Sequence, residues 1–394
     1  YMHTKLLEYL RENIISNLGE SHINENGLLG GAFGEVVALF LLNRQLGLPQ
    51  NYAERFLDII LEDIHHNYLM PTYCNGLAGI GIGLMLLAEN EYVELAADAL
   101  NDFDAYLSRA IEVFSIQGNF DLLHGATGIA LYFTKRSDTA IETSREALTA
   151  YITSIKKALV KTTGDDGTEY SWCRMKPDFS QEERNISMSH GLSGIANVLA
   201  QIYARHILPK TEEKKVKEMI EALTRTILAQ RIKFTKYRSA FPSYYKSSDE
   251  HSRFSRLAWC YGDLGILATL AIIAETTGNS SLSAHIEPLV LAETTRRRIE
   301  QTLVHDACVC HGAAGIYAYF RHASSRFSDC VALHDAERYW KDYILALPVD
   351  RLCYDPISKS YHKQYSILNG YAGIAMSLLD DNSVLDKLLL YERI

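Results

Sequence analysis

A Gly-x-x-Gly phrase occurs seven times along the 394 residues, opening at Gly31, Gly76, Gly125, Gly191, Gly262, Gly312 and Gly370. After the second glycine the chain turns apolar each time, as in "IALYF" from Ile129, "IANVL" from Ile195, "IYAYF" from Ile316 and "IAMSL" from Ile374. The intervals between first glycines are 45, 49, 66, 71, 50 and 58 residues, enough for an apolar helix, a turn and a second helix. Between the fourth and fifth copies the second helix is explicit: Val216, Met219, Ile220, Leu223 and Ile227 share one face, with Glu212, Glu213, Lys215 and Glu218 around it. Glycines three apart lie on one helix face and permit close backbone approach at a crowded helix start. One such copy would carry no weight; seven in the same local context make a repeat architecture.

Seven helices that are apolar nearly all round need cover on every side. A closed ring of seven, wrapped by seven amphipathic helices, supplies it. An open solenoid would want polar terminal repeats, whereas the copies at Gly31 and Gly370 are as apolar as the middle ones. The expected fold is therefore all-α, an α/α toroid of seven inner and seven outer helices forming one domain over residues 1–394. A hydrophobic content of 47% supplies the core. Two stretches break the helical pattern. One is "IKFTKYRSAFPSYYKSSDEHSRF", residues 232–254, which reads as an extended insertion able to grip a peptide or as an ordinary surface loop. The other runs from Thr162 to Glu183.

The net charge of −9 and pI of about 5.9 argue against nucleic acid as a partner, since phosphate binding needs a basic face. The one dense basic cluster, Arg296-Arg297-Arg298, reads as a solvated helix face. No uninterrupted apolar run reaches the ~18 residues of a membrane span, and no secretory signal is recognisable. Seven irregularly spaced cysteines suit a reducing compartment better than a disulfide framework. The expected location is the cytoplasm, with peripheral membrane association in a biosynthetic complex as an extension of that reading.

In a ring of equivalent helices, equivalent positions share one height. The residues just before the first glycines are Gly30, Asn75, His124, His190, Tyr261, His311 and Asn369, and one residue further out stand Cys260 and Cys310. Polar groups gathered at one rim of an apolar barrel make a site. Each histidine taken alone is ordinary at a helix N-terminus; three histidines and two cysteines together are not. Cys260, Cys310 and His311 form a soft Cys2His set, which leaves one tetrahedral position open in the manner of a catalytic zinc. Cys308 is a competing ligand or a buried thiol.

These segments are recognisable. "RLAWCYGDLG" (Arg256 to Gly265), "CHGAAG" (Cys310 to Gly315), "SHGLSG" (Ser189 to Gly194) and "DLLHGATG" (Asp121 to Gly128) resemble the hallmark segments of the lanthionine synthetase C-like family, the LanC cyclases. The seven repeats extend the resemblance over essentially the whole chain. It implies an α/α toroid holding one Zn2+ through Cys260, Cys310 and His311, with His190 and Asp121 as catalytic residues and Arg256 and Tyr261 lining the site. It implies a lanthipeptide cyclase whose partner is a dehydrated precursor peptide, leader plus core, prepared by a separate dehydratase, with a transporter as a further partner. It assigns no role to His124 or Asp263.

The residues suit that chemistry. A free thiol near pKa 8.5 is only a few per cent thiolate at neutral pH, and metal coordination removes that limit. Addition of a thiolate to the β-carbon of dehydroalanine or dehydrobutyrine leaves an enolate that needs a proton at the α-carbon. His190 suits that task. Arg256 stabilises the enolate or orients Asp121, or else makes a structural ion pair. Asp121 orients a histidine or caps a helix. Tyr261 bonds substrate or fills the mouth of the barrel. Two rivals share the shape: an enzyme adding glutathione to dehydroamino acids in proteins, and a zinc-containing scaffold without turnover. An α/α-barrel glycosidase would need paired carboxylates, and Asp121 alone makes no pair.

Overall fold

Each Gly-x-x-Gly phrase opens a helix one residue after its first glycine. The computed structural model describes residues 2–20, 25–67, 69–174, 183–232, 239–243, 245–246, 254–326 and 330–394. Among them the seven buried, inner helices are α2 (Ala32–Leu46), α4 (Leu77–Glu89), α6 (Ala126–Arg136), α8 (Leu192–Arg205), α10 (Asp263–Thr277), α13 (Ala313–Arg326) and α15 (Tyr371–Leu378). Seven amphipathic helices accompany them: α1 (Met2–Glu20), α3 (Asn51–His66), α5 (Asn101–Ile116), α7 (Ile141–Ala158), α9 (Lys210–Ala229), α11 (Ser280–Glu293) and α14 (Val331–Ala346). Two short helices, α12 (Ile299–Thr302) and α16 (Ser383–Leu388), complete the helical set.

The alternation follows from composition. In α4 every residue from Ala78 to Leu87 is buried, so no face is left for water. In α9 the buried residues are Val216, Met219, Ile220, Leu223, Thr226 and Ile227, one stripe on an otherwise charged helix. Burying each such aliphatic side chain contributes about 1.5–3 kcal/mol, far more than helix propensity does per residue.

The chain divides into two compact units, Tyr1–Ala96 with Leu303–Leu389 and Ala97–Thr302 with Leu390–Ile394. In the first, α13 packs on α14 and α15, α15 on α1 and α2, and α2 on α3 and α4. In the second, α6 packs on α8 and α8 on α10, while α5, α7, α9 and α11 cover them from outside.

The irregular region from Thr162 contains a hairpin of β1 (Leu159–Thr163) and β2 (Glu169–Cys173), paired antiparallel from Leu159 with Cys173 to Thr163 with Glu169. It docks on α9, where the Ser171 amide donates to Thr226 Oγ1 at 2.8 Å. Of the 232–254 insertion, the described part is non-helical. Ile232 N donates to Ala240 O at 2.9 Å, Pro242 bridges Phe254, and β3 (Glu183–Arg184) pairs with β4 (Tyr245–Lys246). Most of that insertion, and the peptide-gripping role expected for it, lies outside the described residues. A second hairpin among the described residues joins β5 (Tyr354–Asp355) to β6 (Ser360–Tyr361). No described helix is long and apolar enough to cross a membrane.

Candidate functional site

A recurrent loop presents the site residues. The N–H of the residue after the first glycine donates to the carbonyl seven positions earlier: Ala32 to Glu25, Leu77 to Met70, Ala126 to Asn119, Leu192 to Asn185, Ala313 to Asp306 and Tyr371 to Gln364, all at 2.8–3.0 Å. In the remaining copy Arg256 bridges Gly262. The second glycine then lies over this loop. A Cβ on Gly34, Gly79, Gly194, Gly265, Gly315 or Gly373 would overlap the carbonyl oxygen of Leu28, Tyr73, Met188, Trp259, Val309 or Ile367 respectively. Close approach, not an unusual φ, is what demands glycine there.

In three copies an Asx side chain stitches the loop further. Asn119, Asn185 and Asp306 accept through Oδ1 from the amides of Asp121, Ser187 and Cys308 at 3.4, 2.9 and 3.1 Å. The same oxygens sit where a Cβ on Gly125, Gly191 or Gly312 would be. No sequence reading singled out these three residues. They stand six positions ahead of the first glycine, and a register drawn that far upstream would have shown them.

Main-chain bonds also tie neighbouring loops within each unit. Leu29 N donates to Cys74 O at 3.0 Å, Leu368 N to Leu29 O at 3.0 Å, and Cys310 N to Leu368 O at 2.8 Å. In the second unit Ser189 N donates to Cys260 O at 3.5 Å. The residue before each first glycine reaches solvent in all seven copies, although most of its neighbours are buried.

In the second unit this arrangement brings Asp121, His124, His190, Cys260 and Tyr261 together. His190 Nδ1 lies 2.5 Å from Asp121 Oδ2, and Asp121 Oδ1 accepts the His124 amide at 2.7 Å. The His190 ring stacks on that of His124, with centroids 5.7 Å apart and planes at 20°, and meets the Tyr261 ring at 5.7 Å and 40°. Asn185 Nδ2 donates to the Tyr261 hydroxyl at 3.4 Å. Burial works against a charged His190. The hydrogen bond and charge of Asp121, with a smaller contribution from Cys260, outweigh it and hold the imidazole above its ordinary pKa. Cys260 is buried and Arg256 half-buried.

Asp263, for which the resemblance gave no role, is structural. It is fully buried and accepts from Ala240 N at 2.6 Å, Phe241 N at 3.0 Å and Ser255 Oγ at 2.9 Å. Arg296 Nη1 reaches Asp263 Oδ2 at 3.1 Å and Glu293 Oε2 at 2.9 Å. The expectation that Arg296 belongs to a solvated face is corrected here: its side chain is wholly buried, satisfied by two carboxylates and the carbonyls of Ser255 and Gln301. Burial first, then the Asp263 charge, pushes Glu293 well above the usual carboxylate range despite Arg296. The cluster sets the Arg296 guanidinium between two buried carboxyl groups, and it clamps residues 240–241 and 255 onto the first turn of α10, just beyond Cys260.

In the first unit Cys310 and His311 are half-buried in the loop before α13. Cys308 beside them is buried, and desolvation and Asp306 push its thiol pKa far up. Burial likewise pushes Cys353 up to about 12. Both thiols are core groups whose burial disfavours ionisation.

The comparisons with known proteins agree with this frame. The family model described as lanthionine synthetase C-like protein matches residues 90–386, and the chain belongs to that family. No curated protein matches it in sequence. Among solved structures it is similar to one named nisin cyclase, with 18% identity, a TM-score of 0.74, and coverage of 98% of this chain and 97% of that one. This likeness shows the fold, the all-α toroid class expected from the seven repeats.

Proposed function

We propose that the chain is a zinc-dependent lanthipeptide cyclase, closing thioether rings by adding cysteine thiols of a precursor peptide to its dehydroalanine and dehydrobutyrine residues. The observation that carries this reading is the His190–Asp121 pair next to Cys260, set on the loops of a family whose model matches the chain. The metal ligands in this reading are Cys260, Cys310 and His311, one zinc per chain. Two thiols and an imidazole are zinc's preferred donors, and with three of them one position remains for substrate. When bound, zinc supplies Lewis acidity that keeps a substrate thiol deprotonated at neutral pH.

The chain's own residues do the rest. Asp121 fixes His190 through Nδ1, so Nε2 on the opposite edge of the ring is the nitrogen left for chemistry. With its pKa raised, His190 is more readily protonated than an ordinary imidazole, and it delivers that proton from Nε2 to the substrate α-carbon once sulfur has bonded to the β-carbon. Tyr261, held by Asn185, and Arg256 line the approach. The thiol proton lost equals the α-proton gained, so the peptide mass does not change. The substrate would come from a separate dehydratase, and a reducing cytoplasm suits a reaction that consumes free thiols.

The test uses purified protein and a dehydrated, cysteine-containing peptide, with thiol alkylation followed by mass spectrometry. Loss of alkylatable thiol at constant mass is expected. His190→Asn should lower the rate by about 10²–10⁴-fold, the usual worth of general acid catalysis, while leaving bound zinc unchanged. Equal alkylation with and without the protein would support a scaffold instead. Transfer of glutathione mass onto the peptide would support an intermolecular addase.

A further inference from the structure

We infer that His124 is a positioning residue for His190. This rests on the cyclase reading, in which His190 is the proton donor, and it adds a residue for which the family resemblance gave no role. Four observations converge. The His124 ring stacks on the His190 ring at 5.7 Å with nearly parallel planes. The His124 amide donates to Asp121 Oδ1, while Asp121 Oδ2 faces His190 Nδ1. Asn119 closes the same turn, with Nδ2 donating to the His124 carbonyl at 2.9 Å and Oδ1 accepting from Asp121 N. Gly125 lets that side chain sit flush against the helix start. Asp121 and His124 are thus two contacts of one rigid turn with one imidazole.

A hydrogen bond at Nδ1 alone still lets the ring tilt through its two side-chain torsions while the contact is kept. A stacked neighbour removes that freedom and fixes the direction in which Nε2 points. The Tyr261 ring, tilted at 40°, gives a looser boundary. His124 itself is exposed, so its contribution through His190 comes from the ring face and not from burial.

Aromatic stacking of this kind corresponds to about 3–10-fold in rate when the stacked group must be held for reaction. The experiment compares His124→Ala, which removes the ring, with His124→Phe, which restores a flat ring without nitrogens. The probe is a synthetic peptide carrying one dehydroalanine and one cysteine. We expect kcat to fall about 3–10-fold in His124→Ala with KM unchanged, and to recover in His124→Phe. In parallel, the downfield Hδ1 proton resonance of His190, assigned by its loss in His190→Asn, should broaden in His124→Ala and persist in His124→Phe. If the wild-type protein does not cyclise the probe, the cyclase reading fails, and the resonance alone still decides the positioning role. An unchanged resonance and rate in His124→Ala would overturn the inference. So would a His124→Phe enzyme as slow as His124→Ala, which would make the imidazole nitrogens the functional part. A rise in KM at constant kcat would instead make His124 a substrate contact.

Discussion

Glu35 offers a stability test with a definite sign. It lies in the first turn of α2, 5% exposed, and Asn17 Nδ2 donates to its Oε2 at 2.9 Å. Burial raises its pKa from 4.5 to about 7, and the Asn17 hydrogen bond only partly opposes this. A carboxylate at a helix N-terminus gains about 0.3–1 kcal/mol from the macrodipole, too little to reverse the burial. The folded protein therefore holds this proton more tightly than the unfolded chain does. Its stability is least penalised below the unfolded pKa of 4.5, falls as pH rises towards 7, and levels off above. The gap of 7 − 4.5, about 2.5 units, corresponds to about 3 kcal/mol. Glu35→Gln keeps the shape and an acceptor for Asn17 but cannot ionise. Denaturant midpoints at pH 5 and pH 8 decide the matter. We expect a variant less than about 1 kcal/mol more stable than the wild type at pH 5 and about 3 kcal/mol more stable at pH 8. A difference equal at the two pH values, or a wild type that gains on the variant between pH 5 and pH 7, would refute the argument.

Two further outcomes follow from the proposed ligand set and the buried cluster. Elemental analysis should find about one zinc per chain, lost in both Cys260→Ala and Cys310→Ala while the helical circular dichroism persists, because the helices bury their own core without the metal. Global unfolding of either variant would make the site structural. Arg296→Met should destabilise by about 3–5 kcal/mol, since it leaves Asp263 and Glu293 facing each other without a cation. A thermal melt showing no loss would mean that water or a rearranged carboxylate satisfies the cluster.

The helix plan was legible because its signal is local and repeated. Each glycine pair marks where an apolar helix begins, and α2, α4, α6, α8, α10, α13 and α15 all start one residue after the first glycine. The Val216–Ile227 stripe is legible for the same reason. The position before the glycine could be recognised as chemically special because a polar residue at the mouth of an apolar run has to face something. What could not be read depends on tertiary company. Nothing in "TTRRRIE" distinguishes the buried Arg296 from its half-buried neighbour Arg297, since the carboxylates that accept Arg296 are three and thirty-three residues away. Asn119, Asn185 and Asp306 escaped because they occur in only three of seven copies, ahead of the motif. The stacking of His124 on His190 joins residues from different repeats, and no spacing within either repeat encodes it.

The loop that precedes every inner helix is closed by main-chain hydrogen bonds and by the bare Cα of a glycine, so the side chains it displays take little part in holding it together. One backbone frame therefore carries glycine at 30, asparagine at 75 and 369, histidine at 124, 190 and 311, and tyrosine at 261. Such a scaffold separates inheritance of shape from inheritance of chemistry. The slot one residue further out varies in the same way, holding cysteine at 74, 260 and 310 and leucine at 368. New activities in this architecture should accordingly arise by exchange of one or two letters in these loops, with the glycines behind them unchanged.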